Sequence, residues 1–92
     1  MNIALDYDHT FTEDPEGWLE FANIMRARGH QIVGVTMRFP YETAGMVREY
    51  MTACDKIFFT SRTAKKDYMK KVGVHIDVWI DDMPEWILGD AR

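Results

Sequence analysis

Two aspartates separated by a single residue, Asp6 and Asp8, close a short apolar run, Ile3-Ala4-Leu5. A second acidic pair, Asp81-Asp82, closes Val78-Trp79-Ile80, and Thr36 closes Ile32-Val33-Gly34-Val35. Carboxylates so placed can act as nucleophile, as general acid or base, or as oxygen ligands of a hard cation. Any one of these aspartates, taken alone, reads equally well as a turn former or a cap. Four of them at the ends of two apolar runs, beside a threonine ending a third, favour a site. Like charges brought together repel, and folding gives no reason to crowd them. A divalent cation offsets that repulsion, and an all-oxygen donor set suits Mg²⁺.

The elements that must carry these residues alternate regularly. The apolar runs end in polar residues, as buried strands of a parallel sheet do at their carboxyl ends. Asp14-Pro15 is a helix start, with Asp as N-cap and Pro in the first turn. Trp18, Phe21, Ala22 and Met25 then recur at helical spacing until Gly29 stops the helix. A strand over 31–36 follows, then a helix over 41–53 with Ala44, Val47, Tyr50 and Met51 on its packed side. A strand over 56–60, a helix over 63–72 ending at Gly73, and a strand over 77–81 complete the pattern. Residues 84–88 form a closing helical turn. Strand–helix alternation makes a parallel sheet covered by helices, because each parallel return needs a right-handed crossover. The expected fold is one three-layer α/β/α domain of about four strands spanning 1–92. In such a sheet ligands bind at the carboxyl edge, where the strand order reverses. That edge would collect Asp6, Asp8, Thr36, Asp81 and Asp82.

Bulk properties agree with a single small domain. Ninety-two residues, 47% hydrophobic and 28% charged, support one modest core that buries roughly 60% of the unfolded surface. The single cysteine, Cys54, cannot form an internal disulfide, which suits a reducing cytoplasm. No long apolar run points to a signal peptide or a membrane span. The formal charge of −4 leans against non-specific binding to nucleic acid, although Lys65, Lys66, Lys70 and Lys71 share one helix and keep nucleic acid open. Three histidines and one cysteine form no zinc spacing. His30 and His75 precede strands, at the opposite edge. Cys54 reads as an inert small hydrophobe, and the seven methionines and Trp18 read as core.

The residues also carry a family resemblance. Ile3-Ala4-Leu5-Asp6-Tyr7-Asp8-His9-Thr10 resembles the first motif of the haloacid dehalogenase superfamily, an apolar strand ending in Asp-x-Asp-x-Thr. Val33-Gly34-Val35-Thr36 resembles the second motif, Lys65 the third, and Val78-Trp79-Ile80-Asp81-Asp82 the fourth. All four occur in the family's order and span nearly the whole chain. The resemblance implies a Mg²⁺-dependent phosphomonoester hydrolase. Asp6 would attack phosphorus to form an aspartyl-phosphate, and Asp8 would protonate the leaving alcohol and then activate water. The acid role needs a carboxyl that can stay protonated, and neighbouring carboxylates are expected to raise the pKa of Asp8. Thr36 and Lys65 would hold the phosphoryl oxygens. Thr10 and Arg38 would contribute to substrate binding. Asp6, the backbone carbonyl of Asp8, Asp81 and Asp82 would hold the metal, with Asp81 favoured as the closer ligand. Lys65 is preferred to Lys66 because it shares a helical stripe with Tyr68, Met69 and Val72, whereas Lys66 lies with Lys70.

Departures narrow the reading. Position 9 is His where many relatives have Gly, and His9 is expected to face solvent. The stretches at 10–14 and at Ser61-Arg62 are too short for an inserted cap, so the site should be open. An open site implies a large substrate or a lid borrowed from a second subunit, and a homo-oligomer is one such arrangement. Arg38 and Arg62, near the rim after the second and third strands, each read equally as an anion ligand or a solvated loop residue. Trp86 and Ile87 are expected to cover the sheet edge or form a subunit contact. Two other functions compete. One is a phosphate- or Mg²⁺-binding module of the same fold that has lost the chemistry. The other is a receiver-type signalling domain, disfavoured because its phosphorylated aspartate usually ends the third strand, which here ends Phe58-Phe59-Thr60. The identity of the phosphorylated substrate is not legible.

Overall fold

A computed structural model of the chain describes residues 1–91. Its elements run β1 (Asn2–Leu5), a 3-10 turn (Phe11–Glu13), α1 (Pro15–Ala27), β2 (Gln31–Thr36) and α2 (Arg48–Ala53). β3 (Lys56–Phe59), α3 (Lys65–Lys71), β4 (Val78–Ile80) and α4 (Glu85–Leu88) follow. The four strands form one sheet in the order β3-β2-β1-β4, with every pairing parallel. The chain steps outward from β1 to β2 to β3, then crosses back to lay β4 on the other flank of β1. The order therefore reverses between β1 and β4.

Period-two alternation in the strands splits the core into two layers. Ile3, Leu5 and Ile32 pack with Ala22 of α1 and with Tyr50 and Ala53 of α2. Ala4, Val33 and Val35 point the other way and pack with Met69 of α3. Helices thus cover both faces, as the alternation predicts. The start of α1 is built as expected: the Asp14 side chain accepts from the Gly17 amide at 3.1 Å, and Pro15 opens the helix.

Gly34 in β2 is a position where an added side chain would meet buried groups. A Cβ there would lie 2.7 Å from the Tyr50 hydroxyl and 3.0 Å from Ile57 Cγ1. Tyr50 is fully buried and its hydroxyl donates to the Leu5 carbonyl at 2.7 Å, so it is not free to yield. Gly34→Ala is therefore expected to lower stability by about 1–3 kcal/mol, the usual cost of overpacking a core. Urea unfolding checks this; an unchanged midpoint would show that Tyr50 shifts without penalty.

The second helix departs from the sequence expectation. It begins at Arg48 rather than near residue 41, because residues 41–45 form turns and Gly45 adopts φ +82°, which a right-handed helix cannot include. Met51, expected on the packed side, is exposed, whereas Tyr50 and Ala53 carry the burial. Val72 is likewise exposed, since α3 ends at Lys71. Met1 and Met51 are surface residues, while Met37 and Met69 are core. One 3-10 turn separates β1 from α1, and only residues 60–64 separate β3 from α3, so no cap is inserted at either place. Among the described residues no helix is long and apolar enough to cross a membrane.

Candidate active site

Strand register brings the acidic residues together. Leu5 pairs with both Gly34 and Ile80, and the Asp6 amide donates to the Ile80 carbonyl at 3.0 Å. Asp6 and Asp81 each stand one residue past that pairing, side by side across the β1/β4 reversal. Both share the strand parity of Ala4 and Trp79, whose side chains belong to the layer under α3. Lys65, the first residue of α3, lies one helical turn before buried Met69 and so faces the same layer.

The result is a buried cation between two carboxylates. Lys65 is 1% exposed. Its Nζ lies 2.7 Å from Asp6 Oδ1 and makes a short contact with Asp81 Oδ2. Asp81 Oδ1 accepts from the Met83 amide at 2.9 Å. Lys66 is exposed, so of the two lysines it is Lys65 that reaches the acids.

Asp82 joins from the edge. Thr10 Oγ1 lies 3.0 Å from both Asp6 Oδ2 and Asp82 Oδ1, and it accepts from the Asp82 amide at 3.2 Å. One hydroxyl hydrogen serves only one of those two carboxylates at a time. Asp6, Asp81 and Asp82 each offer an oxygen within 4.8 Å of the others, a donor set that fits a hard divalent ion. Burial pushes the Asp6 carboxyl up to about 7 against the opposing pull of Lys65, and the hydrogen bond with Asp82 and the charge of Asp81 add to the rise. At Asp82 burial works against ionisation, yet hydrogen bonds from Asp6, Thr10 and its own backbone hold the carboxyl below its ordinary value.

Asp8 corrects the sequence expectation. Its carboxylate turns away from the cluster and is gripped in two-pronged fashion by Arg38, through Nε at 2.9 Å and Nη2 at 2.7 Å. The guanidinium hydrogen bond holds Asp8 below the usual carboxylate range, overcoming its partial burial. The raised carboxyl is Asp6, because Asp6 points into the crowded layer and Asp8 lies in the loop beyond the strand. A metal role for Asp8 rests on its backbone carbonyl alone. Arg38 also donates to the Glu42 carbonyl at 2.8 Å and sits 5.0 Å over the Tyr7 ring. In this state it is committed to protein partners rather than open to an anion. Thr10 is buried and serves the carboxylates. Thr36 is buried at the end of β2, on the same edge, and its hydroxyl accepts from the Arg38 amide at 3.3 Å.

Some residues at the rim carried no decisive sequence signal. A cavity of about 310 Å³ is lined by Asp6 and Asp8 together with Met37, Arg62, Met83 and Trp86. His9, Ser61 and Arg62 hold φ of +62°, +52° and +70°, and all three lie in loops after β1 and β3. Non-glycine residues rarely take that conformation, and it clusters at functional edges. Periodicity has no access to loop dihedrals, so this marker was invisible in the sequence. His9 is exposed, as expected. A larger cavity of about 630 Å³ runs beside α3 past Lys66, Lys70, His75 and Trp79, but it holds none of the clustered carboxylates. Charge and the buried lysine, rather than cavity size, mark the site.

The remaining candidates stay apart. His30 Nδ1 bonds the N-terminal amine at 2.9 Å, and His75 is exposed beside Asp77. Burial pushes the Cys54 thiol up to about 12, which keeps it protonated and unreactive. No family model, no curated protein and no solved structure matches this chain.

Proposed function

We propose that this chain is a Mg²⁺-dependent phosphomonoester hydrolase of the haloacid dehalogenase type that works through an aspartyl-phosphate on Asp6. The observation that carries the reading is Lys65, buried between Asp6 and Asp81 at the strand reversal. A lysine held there has no packing purpose that an aliphatic residue would not serve better. It supplies positive charge where a phosphoryl group would collect negative charge.

Asp6, Asp81 and Asp82 would hold the ion, with the backbone carbonyl of Asp8. When bound, Mg²⁺ supplies charge neutralisation for the carboxylates and for the phosphoryl oxygens. The chain's own residues do the rest. An Asp6 oxygen attacks phosphorus, the bond from phosphorus to the leaving oxygen breaks, and Asp8 delivers a proton to that oxygen. Asp8 then takes a proton from water, which attacks the aspartyl-phosphate and releases inorganic phosphate and free Asp6. Lys65 stabilises the charge on the transferring group, and Thr36 positions it. For Asp8 to carry a proton the Arg38 pair must open. An incoming phosphate competes for the same guanidinium fork, so binding and proton transfer are linked.

Purified protein is expected to hydrolyse 4-nitrophenyl phosphate with added Mg²⁺, to stop on chelation, and to lose turnover in Asp6→Asn. Wild type and Asp6→Asn sharing one trace rate would sink the reading. A second reading, a phosphate- or Mg²⁺-binding module without turnover, is favoured by the fact that Arg38 is tied to Asp8. Mg²⁺-dependent capture of beryllium fluoride without hydrolysis of any phosphomonoester would select it.

A further inference from the structure

The cavity beside Asp6 and Asp8 has walls of two kinds. Asp6, Asp8 and Asp82 make it acidic, whereas Met37, Met83 and Trp86 make it apolar, and Arg62 presents a flat cation. Trp86 leaves 37% of its surface uncovered, on a four-residue helix at the mouth of the site. Arg62 is held in a left-handed backbone conformation, its guanidinium carbon 5.5 Å from the centroid of the Phe39 ring and its Nη2 3.6 Å from Glu42 Oε2. The same two residues share a second, shallower hollow, which places them side by side.

We propose that these residues select the leaving group, and that the leaving group is a single planar aromatic ring. The inference rests on the hydrolase reading above. A cavity of about 310 Å³ is at the small end of ligand sites, with room for a phosphate and one ring. Apolar walls alone would accept any hydrocarbon. Indole, guanidinium and thioether groups do more, because each interacts favourably with a π system through its face or edge. Trp86 and Arg62 are the specificity residues; neither touches phosphorus.

The test uses two substrates of similar size, benzyl phosphate and cyclohexylmethyl phosphate, assayed with Mg²⁺ by phosphate release. Benzyl alcohol is the more acidic leaving group, so the change in their ratio on substitution carries the test. Wild type is expected to prefer the benzyl ester in kcat/KM by about 2–10-fold, the scale of an aromatic contact beyond area burial. In Trp86→Ala both rates fall, because apolar area is lost for either ester, and the benzyl-to-cyclohexylmethyl ratio falls with them. Trp86→Phe keeps an aromatic face and keeps the ratio. Circular dichroism of the three proteins guards against a folding effect, and the ratio itself is insensitive to the fraction of active protein. A wild-type ratio near one, or a ratio that Trp86→Ala leaves unchanged, overturns the proposal while leaving the hydrolase reading standing. No turnover of either ester by a wild type that hydrolyses 4-nitrophenyl phosphate overturns the proposal alone; no turnover of all three overturns both.

Discussion

Lys65→Met is expected to cost about 3–5 kcal/mol of folding stability at pH 8, the penalty for leaving a buried charge without its partner. The lysine is 1% exposed and serves two carboxylates that are themselves almost wholly covered. Methionine fills the same volume, so the loss is electrostatic rather than a cavity. The cost should shrink at pH 5. Burial already pushes Asp6 up to about 7 with Lys65 in place, and removing the cation raises it further, so at pH 5 Asp6 is protonated and less repulsion remains. Urea unfolding at both values checks the difference. An equal loss at pH 5 and pH 8 would mean that Lys65 matters for packing and not for charge.

Asp6→Asn should do the opposite to stability while abolishing turnover. Without a divalent ion, the folded chain holds the Asp6 proton up to about 7, whereas the unfolded chain releases it near the ordinary 3.8. Between those values the folded state binds more protons, so the Asp6 contribution to stability is complete below 3.8 and is lost as pH rises through about 7. A shift of that size corresponds to at most ~4 kcal/mol. In chelator, Asp6→Asn is therefore expected to be more stable than wild type at pH 8 and to lack the downward slope. Mg²⁺ should reverse the order, because it binds the ionised cluster. At a hundredfold excess over its dissociation constant it adds about 2.7 kcal/mol to wild type. Thermal unfolding with and without Mg²⁺, from pH 5 to 8, measures both effects. A variant whose pH slope matches wild type would place the titrating group elsewhere than at Asp6.

Both expectations depend on a division visible along the chain. Strand parity puts Asp6 with Ala4 and Asp81 with Trp79, and helical parity puts Lys65 with Met69. Those are local repeats, so the sequence by itself determined that Lys65, and not Lys66, lies on the buried stripe of its helix, and that the acids gather at one sheet edge. That they face the layer under α3 came with the assembled sheet. It determined the α/β class for the same reason: alternating periods of two and 3.6 leave few other ways to bury both faces. The start of the second helix was not legible, because a left-handed Gly45 overrides the apolar spacing at 41–47.

Only the tertiary structure decided which carboxylate carries the raised pKa. Asp6 and Asp8 are two residues apart and identical in type, yet one is buried beside Asp81 and the other is held by Arg38 thirty residues later. That outcome turns on the loop after β1, where His9 takes a left-handed φ, and on the loop after β2 that brings Arg38 across. The placing of Trp86 and Arg62 on the cavity wall is of the same kind. Local periodicity fixes which face a side chain takes within its element. Partnerships between loops depend on strand order and on dihedrals that no repeat encodes, and they appear only once the sheet is assembled.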